Sequence, residues 1–148
     1  MVSSTEGYSA SVQPFDPRTD YPIGTRRPDL IRTPSGLSYD ELTLDNLRRG
    51  QIPEGDFRAT PETLRLQADV ARATGRSQLA DNLERAAELT VVPDHVILEI
   101  YTSLRPGRSS DDELEAWADR LEHEDQAPLV AAFIREARRA YEERGLLI

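Results

Sequence analysis

Residues 60–75 read Thr-Pro-Glu-Thr-Leu-Arg-Leu-Gln-Ala-Asp-Val-Ala-Arg-Ala-Thr-Gly, and this stretch decides the fold. Thr60 is a suitable N-cap, Pro61 stands at the first helical position, and Gly75 is a typical helix end. Between them the apolar residues form two rows at helical spacing. The stretch therefore predicts a helix that is buried on two sides: Leu64, Ala68 and Ala71 make one row, and Leu66, Val70 and Ala73 make the other.

Four further helical patterns follow this first one, at 77–90, at 94–104, after Ser110, and from about 127 to 144. Ser110 and Glu113 have the spacing of a capping box. No alternation typical of strands interrupts these patterns, so the sequence predicts an all-α fold of about five helices. In the last three helices the apolar residues are expected to share a core-facing stripe: Val96, Ile97, Ile100, Tyr101 and Leu104; Leu114, Trp117, Ala118 and Leu121; and Val130, Phe133, Ile134, Ala137 and Tyr141.

The first 59 residues have a different character, because they contain six of the ten prolines. Proline fixes its own backbone and pushes the preceding residue towards extended conformations. One short helix is predicted at Leu44–Arg49, with Thr43 as its cap and Gly50 at its end. We therefore predict a flexible N-terminal tail at 1–19, an extended proline-rich arm at 20–59 and a helical domain at 60–148.

Several apolar groups need cover that the local sequence does not supply. The arm cannot form a core of its own, so it is expected to lie on the helical half or on another protein. Trp117 is either a core aromatic or an anchor in a partner's pocket. The apolar end at 146–148 docks either on its own domain or on another molecule. The arm's larger apolar residues are spread thinly: Phe15, Tyr21, Ile23, Leu30, Ile31 and Tyr39.

Composition restricts the class of function. The net charge of −9 repels nucleic-acid phosphates and anionic lipid surfaces. The absence of cysteine excludes disulfides, thiolate nucleophiles and cysteine-based metal sites, and the absence of lysine excludes a Schiff base. No apolar run reaches the roughly 18–20 residues of a membrane span, and the first residues lack the features of a secretory signal. We therefore expect a cytoplasmic protein that binds neither nucleic acid nor membrane.

Side chains suited to catalysis or metal binding are few. His95 and Glu99 share a helix face as an i, i+4 pair, which suits either a metal ion or an exposed first turn. His123 stands in the acidic run 122–125, which either attracts a cation or is simply solvated. The acids at 111–115 complement the positive end of a helix dipole. Because nucleotide-binding and nucleophile-elbow motifs are also absent, we expect no catalytic, cofactor-binding or metal-binding residue in this chain.

Several sequence blocks occur in one order along the chain and carry a resemblance to a known family. With the stretch that begins at Thr60, they cover most of the chain from about Asp20 onward. The blocks are Asp20-Tyr21-Pro22, Leu42-Thr43-Leu44-Asp45-Asn46, Asn82-Leu83-Glu84-Arg85-Ala86-Ala87-Glu88-Leu89-Thr90, Val92-Pro93-Asp94, Ile97-Leu98-Glu99-Ile100-Tyr101, Leu104-Arg105-Pro106 and Ala132-Phe133-Ile134-Arg135-Glu136-Ala137. In these blocks the chain resembles the small (gamma) subunit of adenosylcobalamin-dependent diol and glycerol dehydratases.

This resemblance implies a subunit of a hydro-lyase built from large, medium and small subunits, in two copies each. The complex converts 1,2-propanediol or glycerol to an aldehyde by a radical 1,2-hydroxyl shift and loss of water. The large subunit holds substrate and metal, and adenosylcobalamin lies between the large and medium subunits, since the cofactor carries the difficult step. The small subunit contacts the large one and supplies no catalytic residue.

Other interpretations stay open at this point. Residues 33–36 are more similar to glycerol dehydratase small subunits and residues 58–64 to diol dehydratase ones, so the preferred substrate is undecided. Residues 1–19 contain no apolar helical stripe, which speaks against a signal for encapsulation in a bacterial microcompartment. Alternatively, the chain is a free-standing acidic helical adaptor for an unrelated protein, or a small metal- or nucleotide-dependent enzyme that uses His95 and His123.

Overall fold

The computed structural model describes residues 13–148, and the fold of this part is all-α. Only an isolated bridge between Arg32 and Ser38 interrupts the helices and turns of the described residues, so the predicted fold class is confirmed. The five longer helices correspond to the five predicted patterns. The helices are α1 (Ile23–Arg26), α2 (Leu44–Arg48), α3 (Pro61–Ala73), α4 (Ser77–Leu89), α5 (Asp94–Ser103), α6 (Asp111–His123) and α7 (Pro128–Arg144).

The helices begin and end where local chemistry predicts. The hydroxyl of Thr60 accepts the backbone N–H of Thr63 at 3.3 Å and so caps α3. At the start of α6, Ser110 and Glu113 form both bonds of the capping box. Gly145 ends α7 in the left-handed region at φ 62°, a conformation that glycine adopts without a steric penalty.

The main core lies between α5, α6 and α7. Its largest fully buried side chains are Val96 from α5, Leu114 and Leu121 from α6, and Ile134 from α7. Alanines between them let the helices approach closely, because a methyl group takes little space between two backbones. Partly buried side chains pack around this core: Leu89, Ile97, Leu104, Trp117, Tyr141 and Leu147.

A second, smaller cluster joins α3 to α4, which follow each other after a three-residue connection. It consists of Ala68, Ala71 and Ala80, with Leu83 packed against them. Of the two apolar rows in α3, the row of Ala68 and Ala71 is therefore the buried one. Val70 of the other row is only half-buried and faces a depression that the N-terminal segment also lines.

The apolar end of the chain folds back onto its own domain. Gly107 donates its N–H to the carbonyl of Leu146 at 2.7 Å, and Ile148 donates to the carbonyl of Ser109 at 3.2 Å. Leu147 packs against the main core, whereas the side chain of Ile148 is exposed. Of the two expectations for this tail, docking within the same molecule is the one observed.

The N-terminal segment from residue 13 to residue 60 lies partly on α3 and α4. Ile23 of α1 is buried and lines a depression together with Val70 and Ala71 of α3. The segment has more local structure than the single predicted helix, since α1 and three 3₁₀ turns accompany α2 (Pro28–Leu30, Tyr39–Glu41 and Glu54–Phe57). Residues 1–12 of the predicted tail lie outside the described residues, and the division into tail, arm and domain stays a prediction.

Much of the apolar surface of this segment has no cover from the rest of the described chain. Tyr21, Leu44 and Phe57 each expose 60% or more of their area.

The helices at residues 13–148 include none that is both long and apolar enough to cross a bilayer.

Candidate functional site

An apolar groove runs between α4, α5 and α7 of the described chain, and two aromatic side chains of this groove remain exposed. Its floor is formed by Ile100 and Ile134, which are themselves core residues. Its walls carry two aromatic side chains that remain in solvent: Tyr101 is 71% exposed and Phe133 is 45% exposed. The groove is lined by Asn82, Arg85, Ala86, Leu89, Ile97, Ile100, Tyr101, Leu104, Val130, Phe133 and Ile134.

The exposure of Tyr101 and Phe133 corrects the sequence analysis, which places both in core-facing stripes. Successive residues of an α-helix are about 100° apart around the axis. Tyr101 follows the buried Ile100 and Phe133 precedes the buried Ile134, so each aromatic ring lies at the edge of its stripe. No third helix of the described chain covers these edges, and the predicted burial was therefore wrong for both residues.

Of the described residues that line this groove, Arg85 is the only charged one. Its guanidinium lies 5.1 Å from the centre of the Phe133 ring and donates a hydrogen bond to the side-chain oxygen of Asn82. Such cation–π contact holds the charge over the apolar wall. Among the described residues Arg85 forms no ion pair with a carboxylate. The groove therefore offers apolar walls and one positive charge at its edge.

Four acidic residues of α6 form ion pairs with arginines of α7. The guanidinium of Arg135 bonds Glu115 and Asp119 at 2.7 Å each, and it also bonds Glu122. The hydrogen bonds that Arg135 donates to Glu115 and Glu122 raise the pKa of Arg135 above its usual range. Among the described residues this network joins α6 to α7, and its four carboxylates are occupied by guanidinium groups. Arg138 extends it by contacting Asp111 and Glu115.

The two histidines lie apart, on exposed helix ends. His95 and Glu99 are both exposed, and the neighbouring Asp94 pairs with Arg58 at 2.7 Å. His123 lies with Asp119 and Glu122, and their potential ligand atoms are all within 4.8 Å of one another. The sequence analysis missed Asp119, although its i−4 spacing from His123 was a usable signal.

The trio around His123 is a poor site for a cation, because Arg135 already bonds both of its carboxylates. A metal ion there would have to displace a guanidinium that is held by three acids. The absence of a metal site in this chain stays a prediction. It is supported by Arg135, which would compete with a metal ion for the two carboxylates.

Trp117 packs against the main core and does not project from the domain. Its indole N–H donates to the hydroxyl of Ser103 at 3.1 Å, and the guanidinium of Arg120 lies 5.5 Å from its ring. A buried indole N–H normally finds such a partner. Of the two expectations for Trp117, the role of core aromatic is the one observed.

The ion pairs of the carboxyl groups make the free energy of unfolding decrease at acidic pH. Hydrogen bonding from Arg58 lowers the pKa of Asp94, and hydrogen bonding from Arg135 lowers the pKa of Glu122. A carboxyl with a lowered folded-state pKa stabilises the fold fully above its unfolded value of about 4 and loses that contribution as pH falls through the folded value. The pKa is also lowered at Asp20, Asp29, Glu41 and Asp56.

We therefore expect the urea midpoint of unfolding to be constant from pH 7 to about pH 5 and to fall steeply below about pH 4. The Arg58→Gln variant provides the control, because it removes the partner of Asp94. Its urea midpoint should therefore decrease less steeply as the pH is lowered. Circular dichroism at each pH measures the midpoint. A midpoint that is unchanged or higher at pH 3 would contradict the role of these pairs.

Comparison with known proteins covers nearly the whole chain. Residues 17–148 match the model of the family described as dehydratase small subunit. The chain is 48% identical over 147 residues to the propanediol dehydratase small subunit of Citrobacter freundii, an alignment that covers 99% of this chain and 82% of that relative. It is 51% identical over 129 residues to the protein of the same name from Salmonella typhimurium strain LT2, which covers 87% of this chain and 75% of that relative.

Proposed function

The chain belongs to the dehydratase small-subunit family, and on that basis we propose that it is the small subunit of a propanediol dehydratase complex. The observation that carries the proposal is an identity of 48–51% to two propanediol dehydratase small subunits, over 129–147 residues. The uncovered aromatic walls of the groove support it, because an isolated domain gains nothing from exposing Tyr101 and Phe133.

Within that complex we assign this chain a structural role. The reaction proposed for the complex is that of a lyase: conversion of 1,2-propanediol to propionaldehyde with loss of water. Catalysis needs acidic, basic or nucleophilic groups that are free and positioned in an enclosed site. Here four acids of α6 are bound by Arg135 and Arg138, and both histidines are exposed. This arrangement supports a chain that contributes no catalytic residue.

The cofactor proposed for the complex is adenosylcobalamin, held by the large and medium subunits. The residues of this chain do not fit that group. Histidine is its side chain best suited to bind cobalt, and neither His95 nor His123 lines the groove between α4, α5 and α7 or the depression that Ile23 forms with α3. We therefore derive no step of the reaction through this chain.

We propose that the large subunit is the direct partner, that the medium subunit is part of the same assembly, and that each subunit is present in two copies. The uncovered apolar surface supports assembly with a larger protein. We also propose a cytoplasmic location for this chain, as expected from its sequence. Whether the complex is encapsulated in a microcompartment depends on the N-terminal region, of which residues 1–12 lie outside the described part.

Reconstitution tests the proposed function. The large subunit is tagged and co-expressed with the medium subunit, with or without this chain, and the retained proteins are assayed for adenosylcobalamin-dependent aldehyde formation from 1,2-propanediol and from glycerol. We expect this chain to be retained at one copy per large subunit, to raise the yield of active complex, and to be inactive alone. The relatives' names favour activity on 1,2-propanediol over glycerol.

Two results would contradict the proposal. Absence of this chain from the retained complex would favour the free-standing adaptor, especially if the chain alone were a compact monomer with an ordered N-terminal segment. Aldehyde formation by this chain alone would contradict its non-catalytic role.

A further inference from the structure

The groove between α4, α5 and α7 has an apolar floor and aromatic walls, and such a surface is rarely left exposed to water. Its floor is continuous with the main core through Ile100 and Ile134, and its walls expose Tyr101 and Phe133. The helical pattern of the sequence treats both aromatic residues as core positions, yet in the described chain Tyr101 stays 71% exposed and Phe133 stays 45% exposed, with the guanidinium of Arg85 over its ring. Large aromatic side chains in such positions are the residues most often found to dominate binding energy at protein interfaces.

The charge at the groove indicates what kind of surface covers it. Arg85 is half-buried and is held over Phe133; it also lines an adjoining depression with Asp81 and Glu136, but it forms no ion pair with a carboxylate among the described residues. This differs from Arg135 and Arg138, whose charges are neutralised by acids of α6. An incoming carboxylate would pair with Arg85 beside apolar walls, where water is excluded and the attraction is weakly screened.

We propose that this groove is the docking site for a segment of the large dehydratase subunit that presents a carboxylate next to large apolar side chains. The inference rests on the proposed function and deepens it by naming the surface and the chemistry of its partner. In the complex, the apolar side chains cover Tyr101 and Phe133, and the carboxylate bonds the guanidinium of Arg85.

A second copy of this chain is a less suitable occupant. A symmetric contact through the groove places the same patch on both molecules, so it brings the two Arg85 side chains into one interface. Like charges that are brought together in an apolar contact oppose association. Self-association is therefore one outcome that the test must detect.

The experiment measures binding of this full-length chain to an immobilised complex of the large and medium subunits. We expect Tyr101→Ser and Phe133→Ser each to weaken binding about tenfold or more, as is typical for aromatic hot spots. Arg85→Glu is expected to weaken binding by about tenfold as well, because it places like charges together. Thermal unfolding by circular dichroism shows whether each variant is folded.

Two matched controls use the same kinds of substitution outside the groove. Leu98 is on the same helix as Tyr101 and is 65% exposed, but it lines a different depression, next to Trp117. Arg65 on α3 is exposed and, among the described residues, has no ion-pair partner. Leu98→Ser and Arg65→Glu should each change binding by less than about twofold, since residues outside an interface rarely affect its energy.

The outcomes separate this inference from the proposed function. If the wild-type chain binds and the three groove variants bind equally well, the groove is not the docking site, although the proposed function stands. If the wild-type chain does not bind the other subunits, the proposed function fails and the inference fails with it. If the groove variants keep binding but convert a dimeric chain to a monomer by light scattering, the occupant is a second copy and the proposal is overturned. Should Phe133→Ser unfold, the variants at the exposed Tyr101 and the half-buried Arg85 decide the question.

Discussion

Replacing Leu121 by alanine is expected to lower the free energy of unfolding by about 3 kcal/mol, within the range measured for buried leucines. Leu121 lies in α6 with 0% of its surface exposed, in the core shared with α5 and α7. The substitution removes three buried carbon atoms and leaves a cavity between helices that are already closely packed. Urea unfolding followed by circular dichroism measures the loss.

The control for this prediction is Leu98→Ala in α5. It makes the same chemical change at a site that is 65% exposed, so the loss should be below about 0.5 kcal/mol. A loss below about 1 kcal/mol for Leu121→Ala would mean that the three helices do not enclose this side chain as described.

Replacing Glu88 by alanine is expected to lower the free energy of unfolding by about 2–3 kcal/mol, because it leaves buried backbone groups without an acceptor. Glu88 is in α4 and is only 8% exposed, and its carboxylate accepts hydrogen bonds from another helix, α7. It accepts the backbone N–H of Leu129 at 3.0 Å and that of Val130 at 2.9 Å. These are N–H groups of the first turn of α7, which have no partner inside their own helix, and a negative charge there also complements the helix dipole.

Two variants test whether capping explains the loss at Glu88. Glu88→Gln keeps the length of the side chain and one acceptor oxygen but loses the charge, so about half of the loss is expected. Glu84→Ala, one turn earlier in α4, removes only a carboxylate that faces Arg72 at 3.5 Å, and its loss should stay below about 1 kcal/mol. Equal losses for Glu84→Ala and Glu88→Ala would argue against a cap at α7.

Local sequence determined the helices, because the signals that start and stop a helix act within a few residues. Thr60, Ser110 with Glu113, and Gly145 each have the predicted role in the structure. The short helix α2, with Thr43 as its cap, was predicted on the same basis. Apolar periodicity also identified the centres of the core stripes, such as Val96, Leu114 and Ile134.

Family resemblance was also readable from the sequence, since it rests on blocks of residues in a fixed order. The match to the dehydratase small-subunit family over residues 17–148 agrees with it. Such blocks indicate membership without indicating which side chains meet in space. They could not reveal that Asp119 joins Glu122 and His123, or that Arg135 bonds the two acids of that trio.

Only the tertiary structure decided which apolar residues remain uncovered and which charges are paired. Tyr101 and Phe133 belong to apolar stripes by spacing, but the width of a buried stripe depends on how many helices pack against it. The burial of Glu88 depends on α7, because its carboxylate accepts the backbone N–H of Leu129, 41 residues further along the chain. Such contacts join residues that are distant in sequence, and they depend on the packing of whole helices, which the pattern within one helix does not specify.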